Sequence, residues 1–78
     1  MYWPHPAINV AVVQVILNGE PRRVADGICV GELIRELGLG ERRIAVELNQ
    51  SIVPRETYAQ SRLREGDVIE IVHFIGGG

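Results

Sequence analysis

The dipeptide Asn18-Gly19 constrains this chain more than any other feature. It follows Val10-Ala11-Val12-Val13-Gln14-Val15-Ile16-Leu17, a run rich in β-branched residues. Such residues suit a pleated strand, and Asn-Gly supplies the two positive-φ positions that a two-residue hairpin turn demands. A strand, a tight turn and a short returning strand near Arg22-Arg23-Val24 are therefore expected, with Asp26-Gly27 breaking the return.

The apolar period then changes. Val30, Leu33, Ile34 and Leu37 stand at i, i+3, i+4 and i+7, the face of a short amphipathic helix. Gly38 sits where a left-handed glycine ends a helix, and Leu39 can pack back on the last turn. The start is weaker, because Cys29 occupies the N-cap position, where Ser or Thr would accept a backbone hydrogen bond worth about 1 kcal/mol. A third strand is expected at Ile44-Ala45-Val46-Glu47-Leu48. Asn49-Gln50 then leads to a short arm, Ser51-Ile52-Val53, that Pro54 ends. Glu56 to Gln60 reads as one helical turn, and Arg64-Glu65-Gly66-Asp67 as a turn into the final strand, Val68 to Ile75.

Hairpin, helix, strand, short strand, final strand is the order of an α+β, β-grasp (ubiquitin-like) fold: a mixed four- to five-stranded sheet with one main helix packed on one face. The first and last strands are expected as parallel neighbours at its centre, joined by a right-handed helical crossover. With 78 residues the chain makes one domain, near the lower limit for a core without metals or disulfides. The expected boundaries are 1–75 for the domain, with 1–8 a flexible amino extension, and 76–78 for a flexible glycine tail.

Charge and cysteine usage narrow the function classes. A net charge of −2 gives no general attraction to nucleic acid or to an anionic membrane. A single cysteine, Cys29, cannot form an internal disulfide, and no Cys/His clustering suggests a metal site, so a reducing cytoplasm is the expected location. The amino end has no basic residue and its apolar stretch is interrupted by Asn9 and Gln14, unlike a secretory signal or a spanning helix. All eight basic residues are arginine, so the chain offers no lysine on which copies of itself could be joined.

Alternation in the final strand separates its faces. Val68, Glu70, Val72 and Phe74 share one side, and Ile69, Ile71, His73 and Ile75 the other. Because an unpaired carboxylate is rarely buried, Glu70 turns its side to water and sends Ile69 and Ile71 beneath the helix. Gln14 and Glu47 mark the same outer face. That face carries Val12, Ile16, Ala45, Val72 and Phe74, an apolar patch expected to bind a partner. His73 reads as a strand-end residue and Cys29 as a small buried filler, in preference to a general base or a reactive thiol.

The carboxyl end, Gly76-Gly77-Gly78, follows the final strand directly. Without Cβ atoms such a segment can pass through a channel too narrow for a side chain. Fully extended, three residues reach roughly 10 Å, enough to enter a partner's active site while the domain stays outside. The reactive group so presented is the Gly78 carboxylate. The chain itself has no Gly-rich phosphate loop with its lysine.

Val15-Ile16-Leu17-Asn18-Gly19-Glu20, Val46-Glu47-Leu48-Asn49, Ile52-Val53-Pro54-Arg55, Gly66-Asp67 and the terminal glycines, in this order, resemble the sulfur carrier family of thiamine biosynthesis (ThiS). The resemblance covers the chain from about Val13 onward. It departs at the extension from Met1 to about Ile8, at Cys29 in place of a more typical Thr, and at the additional Gly76. The resemblance implies a carrier that is not itself an enzyme. A ThiF-like adenylating enzyme would use ATP and Mg to convert the Gly78 carboxylate to an acyl-adenylate. Sulfur from a cysteine-desulfurase persulfide would displace AMP to leave a Gly78 thiocarboxylate, and a ThiG-like thiazole synthase would consume it. Gly76 and Gly77 would form the slender arm, and the chain would bind no cofactor. Other readings are a carrier like the small subunit of molybdopterin synthase, a protein modifier conjugated through Gly78, and a plain interaction module whose glycines are incidental.

Overall fold

The structure, a computed structural model, describes residues 11–74. Strands β1 (Val12–Leu17) and β2 (Glu20–Ala25) precede helix α1 (Val30–Glu36), and strands β3 (Ile44–Leu48) and β4 (Ser51–Ile52) follow it. A 3-10 turn (Arg55–Thr57) and strand β5 (Val68–His73) complete the order. The sheet runs β2-β1-β5-β3-β4, with β1 and β5 parallel and the other pairs antiparallel. The β-grasp expectation is met with five strands.

The hairpin turn has the geometry its sequence requires: Asn18 lies at φ 51° and Gly19 at φ 86°. The return is longer than Arg22–Val24, since Glu20 to Ala25 pairs residue for residue with Leu17 to Val12. Pro21 is tolerated because β2 is an edge strand, where a missing N–H interrupts no further ladder.

Helix α1 is stopped as expected. Gly38 (φ 76°) donates its N–H to Arg35 O, and Leu39 donates to Ile34 O, the paired bonds of a Schellman ending. The start is firmer than Cys29 suggests. Cys29 is the N-cap, and its backbone N–H donates to Glu32 Oε1 at 3.1 Å. The capping contribution therefore comes from the third helical residue. The helical turn expected over 56–60 is a 3-10 turn beginning one residue earlier, at Arg55, with Pro54 as its extended cap (φ −64°, ψ 144°) accepting the N–H of Thr57.

Val15, Val30, Leu33, Val46, Leu63 and Ile69 are the largest fully buried side chains, lying between the sheet and α1. Leu63 received no core role from the sequence because it lies in an irregular connection. Its N–H bonds Ile28 O at 2.9 Å, and Val30 N–H bonds Ser61 O at 2.8 Å, so this strap is sewn to the helix start and closes the core there.

Candidate functional site

Strand β5 is the middle strand, and its two faces divide as its alternation demands. Ile69 and Ile71 are buried beneath α1, whereas Glu70, Val72 and the following Phe74 are exposed. Phe74 N–H donates to Arg43 O at 2.9 Å, so the chain leaves β5 still hydrogen-bonded to the segment that leads into β3. Ile75 and the tail residues Gly76, Gly77 and Gly78 lie outside the described residues, as does the amino extension.

The outer face is built by register. Ala45 faces Val72, Glu47 faces both Glu70 and Ile52, and Ile16 lies beside Val68. Of the residues expected there, Val12 (56%), Val72 (53%) and Phe74 (57%) are well exposed, while Ile16 and Ala45 are half-buried within the layer. Two further residues, not counted in that patch, belong to it. Val68 shares the parity of Glu70, a signal already present in the alternation, and Ile52 is placed only by the pairing of β4 with β3.

This face is apolar with a carboxylate pair in it. Glu47 and Glu70 are direct cross-strand neighbours, an arrangement that like charges disfavour in an isolated sheet. Arg23 and Gln14 pair on the β2 side of the same face. A surface of this kind, aliphatic and aromatic groups around a few charges, suits docking better than it suits bond-breaking chemistry.

Among the described residues, the two remaining candidates, His73 and Cys29, do not come together. His73 is exposed at the end of β5, opposite Ile44, and Cys29 is buried at the helix cap. Among the described residues no three His, Cys, Asp or Glu side chains converge as a metal site, and no helix is long and apolar enough to cross a membrane. Glu32 lies at the helix start, beside the Cys29 cap. The Cys29 backbone N–H holds the Glu32 titration below its ordinary value, helped by the Cys29 side chain and by the charges of Arg62 and Arg35. Its role is to cap the helix.

The family profile described as "ThiS family" matches residues 15–78. The sulfur carrier protein ThiS of Escherichia coli is 36% identical over 66 residues, covering 85% of this chain and all of that protein. The chain belongs to the ThiS family. A crystal structure of the thiamine biosynthesis protein ThiS from Geobacter metallireducens superposes with a TM-score of 0.73 at 32% identity, covering 85% of this chain and all of that one. This ThiS-family chain is also 46% identical over 66 residues to a thiazole synthase of Paramagnetospirillum magneticum. It spans about a fifth of the length of that synthase and of a second, from Magnetococcus marinus.

Proposed function

We propose that this chain is a sulfur carrier for the thiazole of thiamine, loaded as a thiocarboxylate on Gly78. The observation that carries the reading is the ThiS-family match through residue 78, which takes in the glycines as well as the folded body. The fold supports it, because the central strand β5 leads toward the tail and an apolar outer face lies beside its root.

The chemistry requires help from partners. A carboxylate is a poor electrophile, so a ThiF-like enzyme first transfers AMP from ATP, with Mg, to the Gly78 carboxylate and releases pyrophosphate. A persulfide generated by a cysteine desulfurase attacks the acyl carbon, and AMP leaves. Cleavage of the resulting acyl disulfide by a thiol frees the thiocarboxylate. The carrier itself supplies recognition and reach: the body is selected by its sheet face, and the tail positions the sulfur. In this reading it is a co-substrate of the cytoplasm and binds no cofactor.

A ThiG-like thiazole synthase is the acceptor in this scheme. Support comes from the two synthases in which a stretch similar to this chain occupies about a fifth of the polypeptide. A covalent tether raises the effective concentration of a carrier at its consumer, a benefit only if the two act together.

The test is to incubate the purified chain with its cognate adenylating enzyme, ATP, Mg and a persulfide source, then record the intact mass. Replacement of one oxygen by sulfur, mapped to Gly78, is the expected result. An unmodified chain beside an enzyme active on another carrier would overturn the proposal.

A further inference from the structure

On the helix side of the sheet, beside the end of β5, lies a groove of about 200 Å³. Its apolar lining is Ile34, Leu39 and Ile44, and its charged lining is Arg35, Arg42 and Arg55, with no carboxylate among the lining residues. Three separate elements bring the arginines together. Arg35 comes from the last turn of α1, Arg42 from the turn closed by its own N–H on Leu39 O, and Arg55 from the start of the 3-10 turn.

All three arginines are exposed, and among the described residues the one arginine side chain engaged in a hydrogen bond is Arg62, on Gly27 O. The Arg55 guanidinium lies 6.0 Å from the centre of the Tyr58 ring, which steadies it without using its N–H fork. Guanidinium forks are weakly hydrated and match carboxylates two bonds at a time. The acidic sequence neighbours Glu36, Glu41 and Glu56 do not line the groove, so a chain of net charge −2 presents a locally basic one.

The position matters as much as the charge. Ile44 lines the groove and pairs with His73, and Arg43, adjacent to Arg42, accepts the N–H of Phe74. The groove and the apolar outer face therefore lie on opposite sides of the sheet at the end of β5, the last strand before the tail.

We propose that the groove receives an acidic segment, carrying an apolar side chain between its carboxylates, from the protein that takes up the glycine tail. The inference rests on the carrier reading given above. The apolar side chain covers Ile34, Leu39 and Ile44, and the flanking carboxylates engage the arginines. The sheet end is then held from both faces. Charge pairing of this kind acts on the rate and register of docking, which a carrier passing between enzymes must achieve repeatedly.

The test compares the full chain with its Arg42→Glu/Arg55→Glu variant in binding to the cognate adenylating enzyme and the thiazole synthase, at low and high salt. The variant is expected to bind at least one of them ten or more times more weakly. The wild-type salt dependence should be flattened in the variant, with the melting temperature unchanged. An edge variant, Arg22→Glu/Arg64→Glu, altered on β2 and in the turn before β5 and so outside both the groove and the outer face, is expected to bind within twofold of wild type. Wild-type-like binding of the groove variant to both enzymes overturns the proposal, as does an equal loss in the edge variant, which would indicate only a general charge effect. Failure of the carrier reading is seen separately, as a wild-type chain that is not thiocarboxylated and binds neither enzyme, and that result removes the occupant of the groove as well.

Discussion

Asn18 Oδ1 accepts the backbone N–H of Ile71 at 2.8 Å, a bond across 53 positions of sequence. The same asparagine donates its own backbone N–H to Ile69 O at 2.9 Å. Its side chain therefore continues the parallel β1–β5 ladder past the point where β1 turns back. On the other flank of β5, Asn49 does the equivalent work: its Oδ1 accepts Val68 N–H at 2.9 Å and its N–H donates to Val68 O at 2.7 Å. Both asparagines occupy left-handed turn positions, φ 51° and 52°. Two hairpin turns thus clamp the strand from which the tail departs.

Asn18→Gly keeps the turn geometry but removes the side-chain acceptor, and is expected to cost about 1 kcal/mol of stability. Asn18→Ala loses the bond and also strains the positive φ, and should cost about 1 kcal/mol more. Urea unfolding midpoints of the two variants separate the contributions. Equal stability of both with wild type would show that the clamp is idle.

Leu63→Ala is expected to cost about 2–5 kcal/mol, because the side chain is fully buried and the strap around it is held by backbone bonds and has little room to collapse. For a domain of this size that is a large share of the total. A thermal melt checks it, and a shift of only a degree or two would contradict the packing.

Glu32 gives the helix start a pH dependence. Its folded titration point is depressed below the ordinary carboxylate value of 4.5, so the unfolded chain takes up the proton more readily. The stabilisation is fully present above about pH 4.5 and is lost as pH falls through the lower, folded value. The stability gap between wild type and Glu32→Gln should accordingly be constant from neutral pH to about pH 5 and close in more acidic solution. A gap that widens on acidification would reverse the assigned sign.

Phe74→Ser should change folding stability by no more than about 0.5 kcal/mol, because over half of the ring is already in solvent. Docking to the adenylating enzyme is expected to weaken roughly tenfold or more, the scale of a truncated aromatic anchor. Calorimetric titration against that enzyme distinguishes an anchor from an idle exposed ring.

Gly77→Leu addresses the tail. Gly77 follows β5, the last strand of the sheet, and the melting temperature is expected to be unchanged. Thiocarboxylate formation is expected to fall by about 10²-fold as the side chain displaces the acyl carbon in the partner's channel. Single-turnover mass spectrometry measures it, and an undiminished rate would remove the narrow-channel argument.

Elements whose cause is local were legible from the residues alone. Asn18-Gly19 set the hairpin, the spacing of Val30, Leu33, Ile34 and Leu37 set the helix, Gly38 set its end, and the solvation cost of Glu70 set which side of β5 faces water. Each follows from a backbone preference or a side-chain period that operates over a few residues. The order of elements then leaves few topologies, so the β-grasp arrangement was legible too. The remainder depends on contacts between elements far apart in the chain. Ile52 joins the outer face through a register between strands, Leu63 enters the core beside its bond to Ile28, just before the helix and more than thirty positions earlier, and Arg35, Arg42 and Arg55 converge from three elements. In each case the partners are distant in sequence and no local pattern records their meeting. Their position is fixed only when burial of the common core brings the elements together.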